Sequence, residues 1–139
     1  MYRIVIASVL LVFACKTPPF NPATFSEDLI TIGEGGGFAG IETRYYFTPV
    51  GKVYQQTGRD SSLKKLPDIN RELVSQVQTT ASEVGLHDYT YVNPGNVYKF
   101  ITLRSDGREN KIVWSHADDG VKPVCPAIFD LLKQSIKNN

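Results

Sequence analysis

The sequence predicts an α+β domain: a five-stranded, mainly antiparallel sheet with two helices on one face, in the order βββαββα. Short runs of alternating apolar and polar residues recur with turn residues between neighbours, which makes hairpins and so antiparallel pairs. Two longer stretches repeat apolar residues at helical spacing instead. Each helix carries a single apolar stripe, and laying both stripes on one sheet face is the simplest way to bury them.

The elements follow in chain order. "DLITIG" alternates, with Ile30 and Ile32 on one side and Leu29 and Thr31 on the other, and reads as the first strand. After the glycine-rich "GEGGGFAGI", the second strand places Ile41, Thr43, Tyr45 and Phe47 on one face and Glu42, Arg44 and Tyr46 on the other. Pro49 and Gly51 suit a turn, so "KVYQQT" returns as the third strand, and "GRDSSLKK" reads as a polar loop. Ile69, Leu73, Val77, Ala81 and Val84 then recur at helical spacing, with Asp68 placed to cap the start, Gly85 to end the helix and Leu86 to close the cap. "HDYTYVNPGN" reads as a loop, followed by the strands "VYKFITLR" and "KIVWS" joined through Asp106 and Gly107. The last helix carries Ile128, Leu131, Leu132 and Ile136 on one stripe, with Pro126 confined to its first turn.

The chain opens with "MYRIVIASVLLVFAC", one positive charge at Arg3 ahead of an apolar run too short to span a bilayer. That is the pattern of a secretory signal over residues 1–14, and "VFAC" resembles the lipobox of bacterial lipoproteins. The resemblance implies a mature chain beginning at Cys15, whose thiol carries a diacylglycerol and whose amine is acylated, a durable anchor because each buried methylene contributes about 0.8 kcal/mol. An ordinary signal cleaved near Ala14 is the alternative, and it leaves Cys15 free to pair with Cys125 in an oxidising compartment. Residues 15–27, with three prolines in "KTPPFNPATFSED", read as a semi-extended tether reaching about 40 Å, unless Phe20 and Phe25 pack on the domain. Residues 28–139 are then one domain, large enough to bury a core without disulfides.

Fifteen basic side chains face fourteen acidic ones, and the balance becomes even once the segment with Arg3 is removed. With no basic stripe, nucleic acid is not an expected partner. The groups able to support metal or acid–base chemistry are His87 with Asp88, and His116 with Asp118 and Asp119, and neither has the helical histidine spacing of a zinc hydrolase. Cys125, at a helix start, is either a nucleophile activated by the helix dipole or a packing residue. No Gly-x-Ser-x-Gly elbow occurs. The expectation is a monomeric protein that is not an enzyme and needs no metal or cofactor.

Two segments are left as candidates for binding. "GEGGGFAGI" precedes a strand rather than a helix, so no helix N-terminus is available to hold a phosphate. It reads as a bend at Gly35 to Gly37 with Phe38 held out of the bend, pressed over it, or packed in the core, and with Gly40 inside the strand admitting a close neighbour. The sheet face bearing Glu42, Arg44 and Tyr46 is either solvated surface or a recognition surface for a peptide, glycan or assembly partner.

The stretch "GGFAGI", Gly36 to Ile41, resembles the emfourin-like proteinaceous inhibitors of thermolysin-like metallopeptidases. The order of parts is also similar over most of residues 29–136: the glycine-rich bend, a polar strand, a helix ending in a Val-Gly cap, a strand after a tyrosine pair, and a terminal helix with Leu131 and Leu132. The resemblance implies an inhibitor that occludes a secreted metalloprotease with loops at one end of its sheet, and the lipobox resemblance places it, anchored by lipid, in the bacterial cell envelope. Gly36, Gly37, Phe38, Ala39, Gly40, Arg44 and Tyr46 are the expected partner-binding residues and Cys15 the lipidated one.

Overall fold

Hydrophobic alternation makes Leu29–Gly36 (β1) the centre of the fold, because both of its faces are covered. The computed structural model describes residues 16–60 and 62–138; the signal, Cys15 and its lipidation lie outside them. Thr43–Phe47 (β2) and Val53–Thr57 (β3) form the first hairpin, and Lys64–Leu66 (β4) adds to its edge. Arg71–Glu83 (α1) carries the chain to the opposite edge, where Val92–Asn93 (β5), Val97–Ser105 (β6) and Arg108–Ser115 (β7) precede the final helix, Val124–Lys137 (α2). The spatial order is β4-β3-β2-β1-β6-β7-β5, seven strands rather than the five expected. All pairs are antiparallel except β5 with β7. The added strands, β4 and β5, lie at the edges within segments read as loops; they are two or three residues long and exist only through pairing with β3 and β7.

The α+β class and the single helical face stand. Ile30, Ile32, Phe47, Val53, Ile101, Leu103, Ile112 and Trp114 share one core with Val74, Val77 and Ala81 of α1 and Cys125, Ile128, Phe129 and Leu132 of α2. The stripe of α2 falls at i, i+3, i+4 and i+7 from Cys125, which leaves Leu131 at its margin, 44% exposed. In α1 Val77 and Ala81 are buried as the spacing predicts, with Ile69 buried just ahead of the helix and Leu73 packed against the core, and Val74 joins the stripe. Val84, where the helix ends, is exposed. The cap is Asn70, whose Oδ1 accepts from the Glu72 N–H at 2.9 Å, while Asp68 instead meets Lys65. The far end closes as read: the Gly85 N–H bonds Ser82 O at 3.1 Å, the Leu86 N–H bonds Ala81 O at 2.8 Å, and Leu86 is buried. The second hairpin also turns as read, with positive φ at both Asp106 and Gly107.

The second face of the sheet is not open along its length. Phe20 stacks on Tyr54 with ring centroids 4.1 Å apart and meets Phe25 edge-on at 5.2 Å and Tyr46 at 6.1 Å. Arg104 Nη1 donates to the carbonyls of Pro22 at 2.9 Å and Phe25 at 3.1 Å, while Nε and Nη2 hold Glu109. The proline-rich segment is therefore a strap laid across this face, not a free tether.

Candidate functional site

The glycine segment is partly strand and partly turn. Gly33 and Gly35 belong to β1, where their missing side chains make room for aromatic rings from β6. A Cβ on Gly33 would lie 2.2 Å from Phe100 Cζ, and one on Gly35 2.8 Å from the Tyr98 hydroxyl. Phe100 is thereby buried against the backbone, with Lys111 Nζ 4.1 Å above its ring.

Beyond them the chain turns at Gly36 and Gly37, at φ 92° and 73°, and again at Gly40, at φ 59°. The Gly37 N–H donates to Asn96 O at 2.8 Å and the Gly40 N–H to Gly37 O at 3.2 Å, so the turn is tied to the start of β6 and to itself. Gly40 sits in the turn rather than inside a strand, and nothing lies within 4 Å of where its Cβ would be; the close approaches are at Gly33, Gly35 and Gly36. Of the expected placements the structure takes the one with Phe38 held out of the bend. Its ring is fully exposed, beside exposed Ala39 and Ile41, and Val97 across the strand pair is 47% exposed. Ile41 precedes β2 instead of belonging to its buried face. A fully solvated phenylalanine on a turn held by backbone hydrogen bonds is an apolar knob already in position.

Arg44 and Tyr46 do share a face, as read, but their settings differ. Arg44 is ion-paired with Glu42, which also accepts from the Tyr98 hydroxyl at 2.6 Å. Burial pushes the Glu42 carboxyl up, but the hydrogen bonds from Tyr98 and Arg44 and the charges of Arg44 and Lys111 outweigh it, leaving the pKa below the usual carboxylate range. Tyr46 is only 7% exposed: Phe20 lies over it and its hydroxyl donates to Gln56 Oε1 at 2.8 Å. The structure thus separates two groups of expected binding residues. Gly36 to Gly40 form one solvated tip, whereas Tyr46 is covered by the chain's own strap.

The titratable clusters have structural partners. Asp118 Oδ2 accepts from the Tyr91 hydroxyl and from Asn93 Nδ2, both at 2.8 Å, and Oδ1 accepts from the Gly120 N–H at 2.8 Å. Those bonds, the backbone N–H of Gly120 first, hold its pKa low and fold the loop after β7. His116 is exposed at the same end as Phe38, its N–H bonded to Val97 O at 2.9 Å. Among the described residues no three His, Cys, Asp or Glu side chains gather as a metal site. His87 and Asp88 line a polar cavity of about 350 Å³ with Arg108 and Glu109, at the other end of the sheet. Cys125 is completely buried, and burial pushes its thiol up to about 11 against a smaller opposing effect of Lys122, so the helix start does not activate it. No described helix is long and apolar enough to cross a membrane.

The strap was the feature least legible in the sequence. Its signal was two phenylalanines within a proline-rich stretch, which hydrophilic tethers lack. No protein-family model matches the chain, and no curated protein matches it in sequence.

Proposed function

We propose that this chain is a non-enzymatic, lipid-anchored protein of the bacterial cell envelope that binds a protein partner through the Phe38 end of its sheet. In its sharpest form the partner is a secreted thermolysin-like metallopeptidase, which the domain inhibits. The observation that carries the binding reading is Phe38 itself, wholly exposed on a turn pinned by Asn96 and Gly37. Exposing an aromatic ring serves no folding purpose, and holding it in one place lowers the entropy cost of inserting it into an apolar pocket. The resemblance of Gly36 to Ile41 to the emfourin-like inhibitors supplies the protease. Recognition through the sheet face has less support, since Tyr46 lies beneath Phe20.

Residual activity of a thermolysin-like protease, titrated with a chain beginning at Lys16 so that the strap is kept, tests the inhibitory form. The expected result is dose-dependent loss of activity without cleavage of the inhibitor, abolished by Phe38→Ala. Full activity at micromolar excess over several such proteases would overturn it.

A further inference from the structure

The strap and the apolar tip occupy opposite ends of the same sheet. Thr17, Pro18, Pro19 and Phe20 line a cavity of about 450 Å³ together with Thr48, Val50 and Lys52 of the β2–β3 turn. The other end of the strap reaches the β6–β7 turn, where Asp28 accepts from the Ser105 hydroxyl and the Asp106 N–H, both at 3.3 Å. Between them the strap crosses at the level of Tyr54, Tyr46 and Arg104. Tyr46 pairs with Thr31 and Arg104 with Leu29, so this level is the beginning of β1. The Phe38 turn follows the last residue of β1, Gly36. Strands rise about 3.3 Å per residue, so the eight residues of β1 put roughly 26 Å between the two poles.

We propose that the strap is an orienting element: it holds the Thr48–Lys52 pole toward the surface that carries the chain's N-terminal end and presents Phe38, Ile41 and Val97 away from it. The orientation relative to a membrane rests on the anchored reading above; the opposition of the two poles does not. A free tether would let the domain tumble and offer any side. With Phe20 stacked on Tyr54, the described spacer shortens to Lys16 through Pro19, about 13 Å when fully extended. That is half the length of the sheet, so the inverted arrangement, with the tip on the anchored surface and the Thr48–Lys52 pole a full sheet length above it, is out of reach. Held with the strap pole toward the anchor, the domain offers the apolar tip to a protein arriving from the distal side.

The chemistry of the tip defines that protein. The acidic groups near it are neutralised within the domain, Glu42 by Arg44 and Tyr98, and Glu34 by Lys133. Facing outward there are Phe38, flanked by Ile41 and Val97, and the exposed His116. The fitting partner offers a concave apolar pocket wide enough for one aromatic ring, and ionic strength should have little influence on its binding.

Two measurements test the proposal separately from the function it rests on. In the full lipidated protein, reconstituted in phosphatidylcholine vesicles containing spin-labelled lipid, a fluorophore is placed at Val50→Cys or at Ala39→Cys. Cys125 is buried and will not take label. The Val50 label should lose most of its emission to the quencher while the Ala39 label keeps its own, and a combined Phe20→Ala, Arg104→Ala variant should erase that difference. Equal quenching at both positions with the strap intact would overturn the orientation. Protein that never associates with the vesicles would overturn the anchored reading instead. The strap is then judged in solution by spin labels at Thr17→Cys and Ala39→Cys. One narrow distance distribution near about 25–30 Å is the expected result, and a broad distribution extending to contact would overturn the orienting strap whether or not an anchor exists.

Discussion

Replacing Gly36 by alanine should unfold the tip and weaken the whole domain, and Gly40 provides the control. Gly36 has φ 92°, and a Cβ there would lie 2.1 Å from Asn96 O, 3.1 Å from Asn96 C and 3.2 Å from Val97 Cα. Every one of these atoms is backbone, so no side chain can swing away to relieve the clash. Gly40 has φ 59° with nothing within 4 Å of its missing Cβ. The left-handed backbone costs an L residue about 1–2 kcal/mol, and Gly40→Ala should cost only that. Gly36→Ala adds a forced backbone shift of about 1–3 kcal/mol, for a total of roughly 2–5 kcal/mol. Against a typical stability of about 5–15 kcal/mol, that is a large fraction. At about 4 °C per kcal/mol, the two variants should differ in Tm by about 4–12 °C. Urea unfolding followed by the fluorescence of Trp114, buried at 3% exposure, measures both. If the variants agree to within about 0.5 kcal/mol, the close approach of Gly36 to β6 is not a constraint, and the account of the tip as a rigid platform fails.

Phe129, 2% exposed and edge-on to Trp114 at 6.0 Å, should cost about 3–5 kcal/mol when cut to alanine, seen as a lower urea midpoint. A loss under 1 kcal/mol would mean that α2 is not seated on the sheet as described. Glu42 contributes stability that is present above its ordinary carboxylate pKa and lost as pH falls through its lowered folded value. Glu42→Gln should flatten the acid limb of a stability–pH curve below about pH 4.5, and Tyr98→Phe should flatten it in part; an unchanged limb in both would refute the network. Cys125 should resist a thiol reagent at pH 8 in the native protein and react promptly in urea, and rapid native labelling would contradict its burial. Phe38→Ala should leave the unfolding midpoint unmoved within about 0.5 kcal/mol while removing partner binding, and a destabilised variant would instead make Phe38 a packing residue.

Features set by a few neighbouring residues were legible in the sequence. The Asp106–Gly107 hairpin, the Pro49–Gly51 turn and the Gly85–Leu86 helix end depend on backbone conformations that particular residues favour locally. Both helices and the long strands were visible because their apolar spacing extends over several turns or pleats. In α1 the i, i+4 series through Ile69, Leu73, Val77 and Ala81 was legible for the same reason, and only Val84, where the helix ends, departs from it, exposed, while Val74 joins the stripe. The short strands β4 and β5 left no local trace because a two- or three-residue segment gains its hydrogen bonds only from a partner distant in sequence.

The candidate site divides along the same line. The glycine-rich segment marked itself in composition, and the sequence could say that it bends. It could not say that Gly33 and Gly35 give space to Phe100 and Tyr98, since those rings arrive from β6, more than sixty residues later. Nor could it choose between burying and exposing Phe38, because that depends on where the turn is tied, and the tie is to Asn96. Alternation gives the face of Tyr46 but not that Phe20 covers it, because it determines which way a side chain points, not what lies over it. By itself the sequence determined the fold class, the turns and the pattern of each face, all consequences of local backbone preference and periodicity. Only the tertiary structure decided that Phe20 closes the sheet face while Phe38 stays open to solvent, because both outcomes depend on surfaces assembled from strands that are remote along the chain.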